Sequence, residues 1–414
     1  MLAATSHRLG LTRSVSQIIA VFLAIRLLWL GVAFYELSIG TRLIRIDSIS
    51  LSSFDLTDIG RYYLFASHVI NWGKIAYVNL PYGYPQLAGY LFLLIHMLCE
   101  GMVSFVLLLA LVQLPLELLT SLIIYKLASQ VIGKEKAMVP AVVYNLSPMV
   151  LYTWVARFDC IPAFFSVAAL YLFLRKRYSL AFLFLGIGTM FKWFPGLLGI
   201  PFICYMLQNN LSTKRVVYSF LTMAAFCSLI SLPFLILGPE TFLRSFGRHL
   251  EKGWFYESLW TLVGLVIMKG LPSEYFMPSQ YTIYSTESLI LQAIGCILVL
   301  FLSCKERREL IGCSAYILLV FVFFVKFFSP QYVVWFSPLL LLWVNKKLDW
   351  LTYAGIHTAV YLEYPVFWNL HNVLNPPYFY IIIVLRLFFT AVAIALILSR
   401  LKVQWPPIRA IGGE

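Results

Sequence analysis

Apolar runs of roughly 20 residues recur along the whole chain, and they limit its fold more than any other feature of the sequence. Runs such as "AFLFLGIGTMF" and "SLILQAIGCILVLFLSC" do not alternate apolar with polar residues, so they predict helices instead of the strands of a membrane barrel. Only 12% of the 414 residues are charged, whereas soluble domains are about 25% charged. This composition excludes a soluble enzyme, a disordered chain and a disulfide framework. It predicts an all-α polytopic membrane protein that forms a single domain over residues 1–414.

Basic residues flank the apolar segments in a pattern that predicts the orientation of the chain. The candidate spans, about twelve in number, are 16–38, 102–126, 137–155, 160–175, 179–191, 194–208, 216–237, 285–303, 309–326, 331–345, 350–366 and 378–399. With both termini inside, these crossings place the basic clusters in the cytoplasm, as the positive-inside rule requires. A further crossing at 85–100 would move every later cluster outside, so this segment is predicted to lie in the outer leaflet or to re-enter it.

Several classes of site and partner are not predicted by this sequence. The net charge of +13 is accounted for by basic cytoplasmic loops, so it does not indicate a nucleic-acid partner. The seven cysteines lie mostly inside apolar runs and form no Cys-x-x-Cys motif, so no metal site is predicted. Walker A, GxGxxG, HExxH and GxSxG motifs are absent, so no cytosolic nucleotide-binding domain is predicted either.

Two polar segments, 39–101 and 238–284, are predicted to form large loops on the outer side of the membrane. In the first of them, Thr57 or Asp58 could cap a helix that runs to about Asn71. Alternatively, a carboxylate of Asp55 or Asp58, just above the membrane, could act as a general base on a hydroxyl group. The residues alone do not separate these two interpretations.

Other charged residues at the outer helix ends have both a structural and a functional interpretation. Asp159 follows Arg157, and an ordinary surface ion pair between them is the simplest expectation. Lys192 lies in "MFKWFPG", at the tip of a broken pair of short helices, where it could snorkel or bind a phosphate as a point charge. Gln331, beside the helix-breaking Pro330, could cap the next helix or hydrogen-bond a substrate.

The second outer segment contains "RSFGRHLEKGWFYESLW", which predicts an amphipathic helix lying in the membrane interface. Its Arg248 and His249 could anchor the helix or bind an anion, and Glu257 adds a carboxylate. Two further charges, Arg26 and Glu117, lie at similar depths within the first two spans. Because an isolated charge inside the membrane is costly, these two side chains are predicted to form a pair.

Four short motifs together resemble the GT-C glycosyltransferases, most closely the PimE-type polyprenol-phosphate-mannose mannosyltransferases and more weakly GPI mannosyltransferase I. The first runs from Asp58 through Tyr62-Tyr63 to Tyr84-Pro85, and the others are "RFDCIPAFFSVAALYLF", "LGIGTMFKWFPGLLGIPF" and "FFSPQYVVWFSPLL". The resemblance implies a GT-C helical bundle, with Asp58 as the catalytic base and Lys192 as the family's Lys-x-x-Pro lysine. It implies no metal and no cofactor.

The predicted function is transfer of one sugar, with mannose expected, from a polyprenyl-phosphate carrier to a hydroxyl of a lipid- or protein-linked glycan, with inversion. Lys192 and Arg248 are expected to stabilise the leaving phosphate. The predicted substrate-binding residues are Asp55, Arg61, Tyr62, Asp159, Lys192, Arg248, His249, Glu257 and Gln331. The expected location is the plasma membrane of a prokaryote or the endoplasmic reticulum of a eukaryote, with the site on the outer or lumenal side.

A transporter or lipid-linked sugar flippase is the alternative that the number of spans leaves open. Transporters usually show internal repeats and polar groups near the middle of the membrane. In this sequence the polar groups gather at the outer surface and no repeat is visible, so the enzyme is favoured.

Overall fold

The computed structural model describes residues 2–39, 44–46, 49–51, 55–251, 257–268, 283–367 and 377–404. The helices are α1 (Leu2–Ile39), α2 (Thr57–Asn71), α3 (Gln86–Met97), α4 (Met102–Val131), α5 (Met138–Leu146), α6 (Pro148–Ala156), α7 (Cys160–Leu174), α8 (Tyr178–Phe191), α9 (Gly199–Gln208), α10 (Thr213–Leu237), α11 (Pro239–Glu251), α12 (Leu259–Met268), α13 (Ile283–Leu298), α14 (Arg307–Phe324), α15 (Tyr332–Trp343), α16 (Lys347–Tyr361) and α17 (Pro377–Leu398). Short 3-10 turns follow α8 and α13, and a distorted turn follows α16. A small antiparallel hairpin joins β1 (Ile44–Ile46) to β2 (Ile49–Leu51).

Each of the twelve predicted spans lies largely on helix, which confirms the helical membrane fold. Among the described residues, four helical stretches are long and apolar enough to cross a membrane by themselves: Arg13–Glu36, Met102–Val131, Thr213–Leu237 and Tyr380–Leu398. The segment 137–155 is bent by 54° where α5 meets α6, because Pro148 interrupts the backbone hydrogen bonds there. The count of twelve crossings stays a prediction, since the remaining apolar helices are shorter.

Helix α3 occupies most of the segment 85–100 that was predicted not to cross. Its 12 residues span about 18 Å at 1.5 Å per residue, well short of the roughly 30 Å hydrocarbon core. The helix packs against α2, α4 and α8, and Leu94 and Met97 on its other side are exposed. These features agree with a helix lying in one leaflet, and its depth in the bilayer stays a prediction.

The two charges deep in the first two spans form the predicted pair. Arg26 Nη2 of α1 lies 2.8 Å from Glu117 Oε2 of α4, and both side chains are buried. The Tyr144 hydroxyl of α5 donates to the second oxygen of Glu117 at 2.9 Å, and Arg26 also donates to the carbonyl oxygen of Asn145. This network ties three helices together inside the bundle, as expected for charges removed from water.

Helix breaks at one end of the bundle place irregular backbone next to a cavity. Lys192 has extended backbone at the end of α8, and a 3-10 turn from Phe194 to Leu198 follows it, as the motif predicted. The predicted helix over 244–260 is only partly correct. Helix α11 ends at Glu251, and Glu257 lies in a turn just before α12, so Glu257 does not belong to the amphipathic helix.

Candidate active site

A cavity of about 560 Å³ opens where one end each of α2, α8, α13, α14 and α15 meet. From the predicted site it is lined by Asp55, Asp58, Arg61, Lys192, Glu257 and Gln331. The side chains of Arg248 and His249 lie outside the described residues. Tyr62 and Asp159 lie behind the cavity wall, where both are fully buried.

Asp58 lies in the first turn of α2 and does not cap this helix. The residue at the N-cap is Leu56, whose side chain makes no capping hydrogen bond. The Asp58 carboxylate instead contacts two guanidinium groups, with Arg157 Nε at 3.0 Å and Arg61 Nη1 at 3.2 Å. The capping interpretation of Thr57 or Asp58 is therefore wrong, and the carboxylate remains at the cavity surface with 16% of its side chain exposed.

Asp55 precedes α2 and holds the first residue of this helix in place. Its Oδ1 accepts from the backbone N–H of Thr57 at 3.2 Å and from the Thr57 hydroxyl. Its Oδ2 accepts from the hydroxyl of Tyr364 and lies 3.3 Å from Arg157 Nη2. Asp55 therefore uses both oxygens to organise the loop, whereas the ion pairs of Asp58 with described residues are both with arginines.

Arg157 is the site residue that sequence reasoning missed. The predicted surface pair with Asp159 is wrong, because the Arg157 guanidinium turns towards Asp55 and Asp58 and the residue is only 3% exposed. Its Nη1 donates to the backbone oxygen of Asp55 at 2.7 Å, while Nε and Nη2 contact the two carboxylates. One planar guanidinium thus joins Asp55 and Asp58 to the break between α6 and α7.

Asp159 pairs with Lys192 instead. Lys192 Nζ lies 2.6 Å from Asp159 Oδ1, and the Trp335 indole N–H donates to the same oxygen at 2.6 Å. The ammonium group also lies 5.2–5.6 Å from the centroids of four aromatic rings, those of Tyr84, Phe158, Tyr332 and Trp335. This cage fixes the lysine at the cavity wall and allows a cation to be buried with partial compensation.

Tyr62 and Gln331 each contact neighbouring side chains of the cavity wall or edge. Tyr62 does not line the cavity but stacks on Phe92, and its hydroxyl lies 3.5 Å from that of Tyr84, which does line it. Burial raises the pKa of Tyr84 well above its usual value, so its hydroxyl stays neutral at physiological pH. Gln331 makes no side-chain cap to α15, and its amide oxygen accepts from Ser329 at 2.6 Å at the cavity edge.

Comparisons with known proteins agree with this architecture. Residues 84–237 match the family model described as dolichyl-phosphate-mannose-protein mannosyltransferase. The GPI mannosyltransferase 1 of Kluyveromyces lactis is 25% identical, over 73% of this chain and 80% of that protein. The crystal structure of ArnT from Cupriavidus metallidurans bound to undecaprenyl phosphate superposes with a TM-score of 0.52 at 14% identity, covering 93% of this chain and 76% of ArnT.

These similarities confirm the resemblance to GT-C glycosyltransferases that the sequence motifs predicted. The fold is the GT-C fold of integral membrane enzymes, and the sequence similarity is to mannosyltransferases. The matched segment 84–237 contains Arg157 and Lys192, two of the cations that line the cavity, and Asp159, the ion-pair partner of Lys192. A GT-C-type glycosyltransferase is the class of protein that the comparisons support.

Proposed function

We propose that this protein transfers a single mannose from a polyprenyl-phosphate carrier to a hydroxyl of a lipid- or protein-linked glycan, with inversion at the anomeric carbon. The arrangement that carries the proposal is one cavity lined by both a carboxylate, Asp58, and a caged cation, Lys192. Such a cavity supplies a base for the incoming hydroxyl and a positive charge for the outgoing phosphate.

Asp58 acts as the general base in this proposal. Its carboxylate takes the proton of the acceptor hydroxyl as that oxygen forms a bond to the anomeric carbon, while the bond from this carbon to the phosphate oxygen breaks. The contact with Arg157 orients the carboxylate, and its place in the first turn of α2 adds the favourable field of the helix N-terminus. Asp55, whose oxygens are committed to Thr57 and Tyr364, is the supporting residue.

Lys192 stabilises the negative charge that develops on the departing phosphate. One of its three N–H donors is directed to Asp159, which leaves donor capacity for an anion in the cavity. A polyprenyl phosphate is a good leaving group, so charge stabilisation suffices and no general acid is required. Arg248 remains the second cation proposed for this role, on helix α11.

The chemical nature of both substrates is proposed from the relatives. The matching family and the Kluyveromyces lactis relative are named as mannosyltransferases, which supports mannose as the sugar. The bound undecaprenyl phosphate of ArnT supports a polyprenyl-phosphate donor. The proposed orientation, with the cavity on the outer or lumenal side of the membrane, is supported by the expected cytoplasmic location of the basic clusters.

Product analysis tests this function directly. Purified full-length protein is incubated with radiolabelled polyprenyl-phosphate-mannose and a lipid extract of the host, and the labelled product is identified. A new acid-stable mannosyl linkage, formed by the wild type and not by Asp58→Asn, is the expected result. Sealed vesicles that move labelled lipid without forming a glycosidic bond would support the flippase alternative and contradict the proposal.

A further inference from the structure

Glu257 places a third acidic group at the same cavity, beside Asp55 and Asp58. It lies in the turn before α12, is 1% exposed and belongs to the cavity lining. Neither of its carboxylate oxygens has a hydrogen-bond partner among the residues that the structure describes. A buried carboxyl group without partners is unfavourable, so a ligand that satisfies it is the natural explanation for its position.

The backbone of this turn is held firmly while the carboxyl group is left uncommitted. Arg386 of α17 donates through Nη2 to the backbone oxygen of Glu257, and its Nε lies 2.7 Å from Glu363 Oε2. The charge of Arg386 is therefore balanced by Glu363, and its guanidinium lies 3.7 Å from the ring centroid of Phe328. Glu257 is thus positioned by α17 without serving as the counter-ion of that arginine.

The surroundings of Glu257 suit a neutral ligand and not an anion. Burial and the nearby Glu363 carboxylate raise the pKa of Glu257 well above its usual value, against the lowering effect of Arg386 and Arg157. The carboxyl group therefore keeps its proton to a higher pH than an ordinary glutamate. A protonated acid both donates and accepts a hydrogen bond, which matches the hydroxyl groups of a sugar ring.

We infer that Glu257 is a specificity-determining residue that binds hydroxyl groups of a pyranose ring in the cavity. This inference rests on the proposed function and adds to it which part of the substrates each cavity residue binds. Lys192 takes the phosphate, Asp58 the reacting hydroxyl, and Glu257 the hydroxyls that identify the sugar. The ring that it binds belongs either to the donor mannose or to the acceptor glycan. Measurements of donor binding and of turnover distinguish these two cases.

Binding to the purified full-length protein tests the donor case. The dissociation constants of polyprenyl-phosphate-mannose and of bare polyprenyl phosphate are compared for the wild type, Glu257→Ala and Glu257→Gln. If Glu257 binds the donor sugar, Glu257→Ala weakens binding of the mannosyl donor by roughly 10- to 100-fold and leaves bare polyprenyl phosphate unchanged. Glu257→Gln, which still donates and accepts, keeps most of the affinity.

Turnover measurements test the acceptor case. If Glu257 binds the acceptor glycan, Glu257→Ala leaves both dissociation constants unchanged. It then raises the amount of host lipid extract needed for the half-maximal rate by roughly 10- to 100-fold. The matched control is Glu240→Gln on α11, whose side chain is 84% exposed and pairs with Arg244; it changes neither quantity.

Two outcomes overturn the inference. One is that Glu257→Ala keeps both dissociation constants and the half-saturating amount of extract within twofold of the wild type. The other is that it weakens the mannosyl donor and bare polyprenyl phosphate equally, since Glu257 then acts on the phosphate or on the fold. Failure of the proposed function is separate, because the wild type would then form no glycosidic bond although the binding comparison can still be made.

Discussion

Arg157 Nε lies 3.0 Å from Asp58 Oδ2 and so joins the break between α6 and α7 to the first turn of α2. The guanidinium is buried and reaches Asp55 with its other nitrogens. A carboxylate held in this way is kept in one orientation at the cavity, which a general base needs before its substrate arrives.

Replacing Arg157 by lysine is expected to lower kcat/KM by about 10²-fold, because a single ammonium cannot contact Asp55 and Asp58 with the geometry of a planar guanidinium. Steady-state kinetics with the mannosyl donor measure the effect, and thermal unfolding of the same sample reports any loss of stability. Arg244→Lys is the matched control, since Arg244 is exposed and pairs with Glu240 on the surface. Near-wild-type kinetics of Arg157→Lys would show that this ion pair does not position the base.

Lys192→Ala is expected to lower kcat/KM by on the order of 10²-fold, since the phosphate loses its charge partner. The same change leaves the buried Asp159 carboxylate without its ion-pair partner, so the variant is also expected to be less stable. The double variant Lys192→Ala, Asp159→Asn separates the two effects, because it restores the thermal midpoint without restoring turnover. Recovery of turnover in the double variant would assign Lys192 a structural role only.

The Arg26–Glu117 pair is expected to matter for the fold and not for the chemistry. Arg26→Met leaves Glu117 buried and unpaired, at an expected cost of about 3–5 kcal/mol in the free energy of unfolding. Arg26→Met combined with Glu117→Leu should recover most of that stability. Turnover per folded molecule is expected to stay within a few-fold of the wild type in the double variant, and a large fall would place the pair in the catalytic pathway.

Labelling of introduced cysteines tests the orientation of the chain. Lys74→Cys is in the segment predicted to lie outside and Lys214→Cys is at the start of α10, and both positions are exposed. An impermeant thiol reagent applied to intact cells is expected to label position 74 and not position 214, relative to the background from the native cysteines. Labelling of 214 alone would place the cavity on the cytoplasmic side.

The helices could be predicted well from the sequence because lipid leaves the backbone few options. An apolar run must satisfy its own peptide groups, so its residues and the Pro and Gly breaks nearly define each helix. The Arg26–Glu117 pair was predictable for the same reason, since a constant rise of 1.5 Å per residue converts sequence position into depth.

The pairing of charges at the cavity could not be predicted in the same way. Arg157 and Asp159 are two positions apart in sequence, and a local pair was the simplest expectation, yet each side chain pairs with a group from a distant segment. Helix breaks bring these groups together, and apolar periodicity does not specify how separate helix ends pack. The signal available in the sequence was that two cations, Arg157 and Lys192, lie next to apolar runs, where each requires an acidic partner. The structure shows that both are buried.

The turnover of Asp58→Asn tests the central claim most directly. Asparagine keeps the shape of the side chain and one acceptor oxygen but takes up no proton at neutral pH. The account predicts that turnover falls by roughly 10²–10⁴-fold while the thermal midpoint stays close to that of the wild type. Asp55→Asn, which alters the supporting carboxylate, is expected to reduce turnover less. Wild-type turnover in Asp58→Asn would contradict the account, because the cavity would then carry out the transfer without its proposed base.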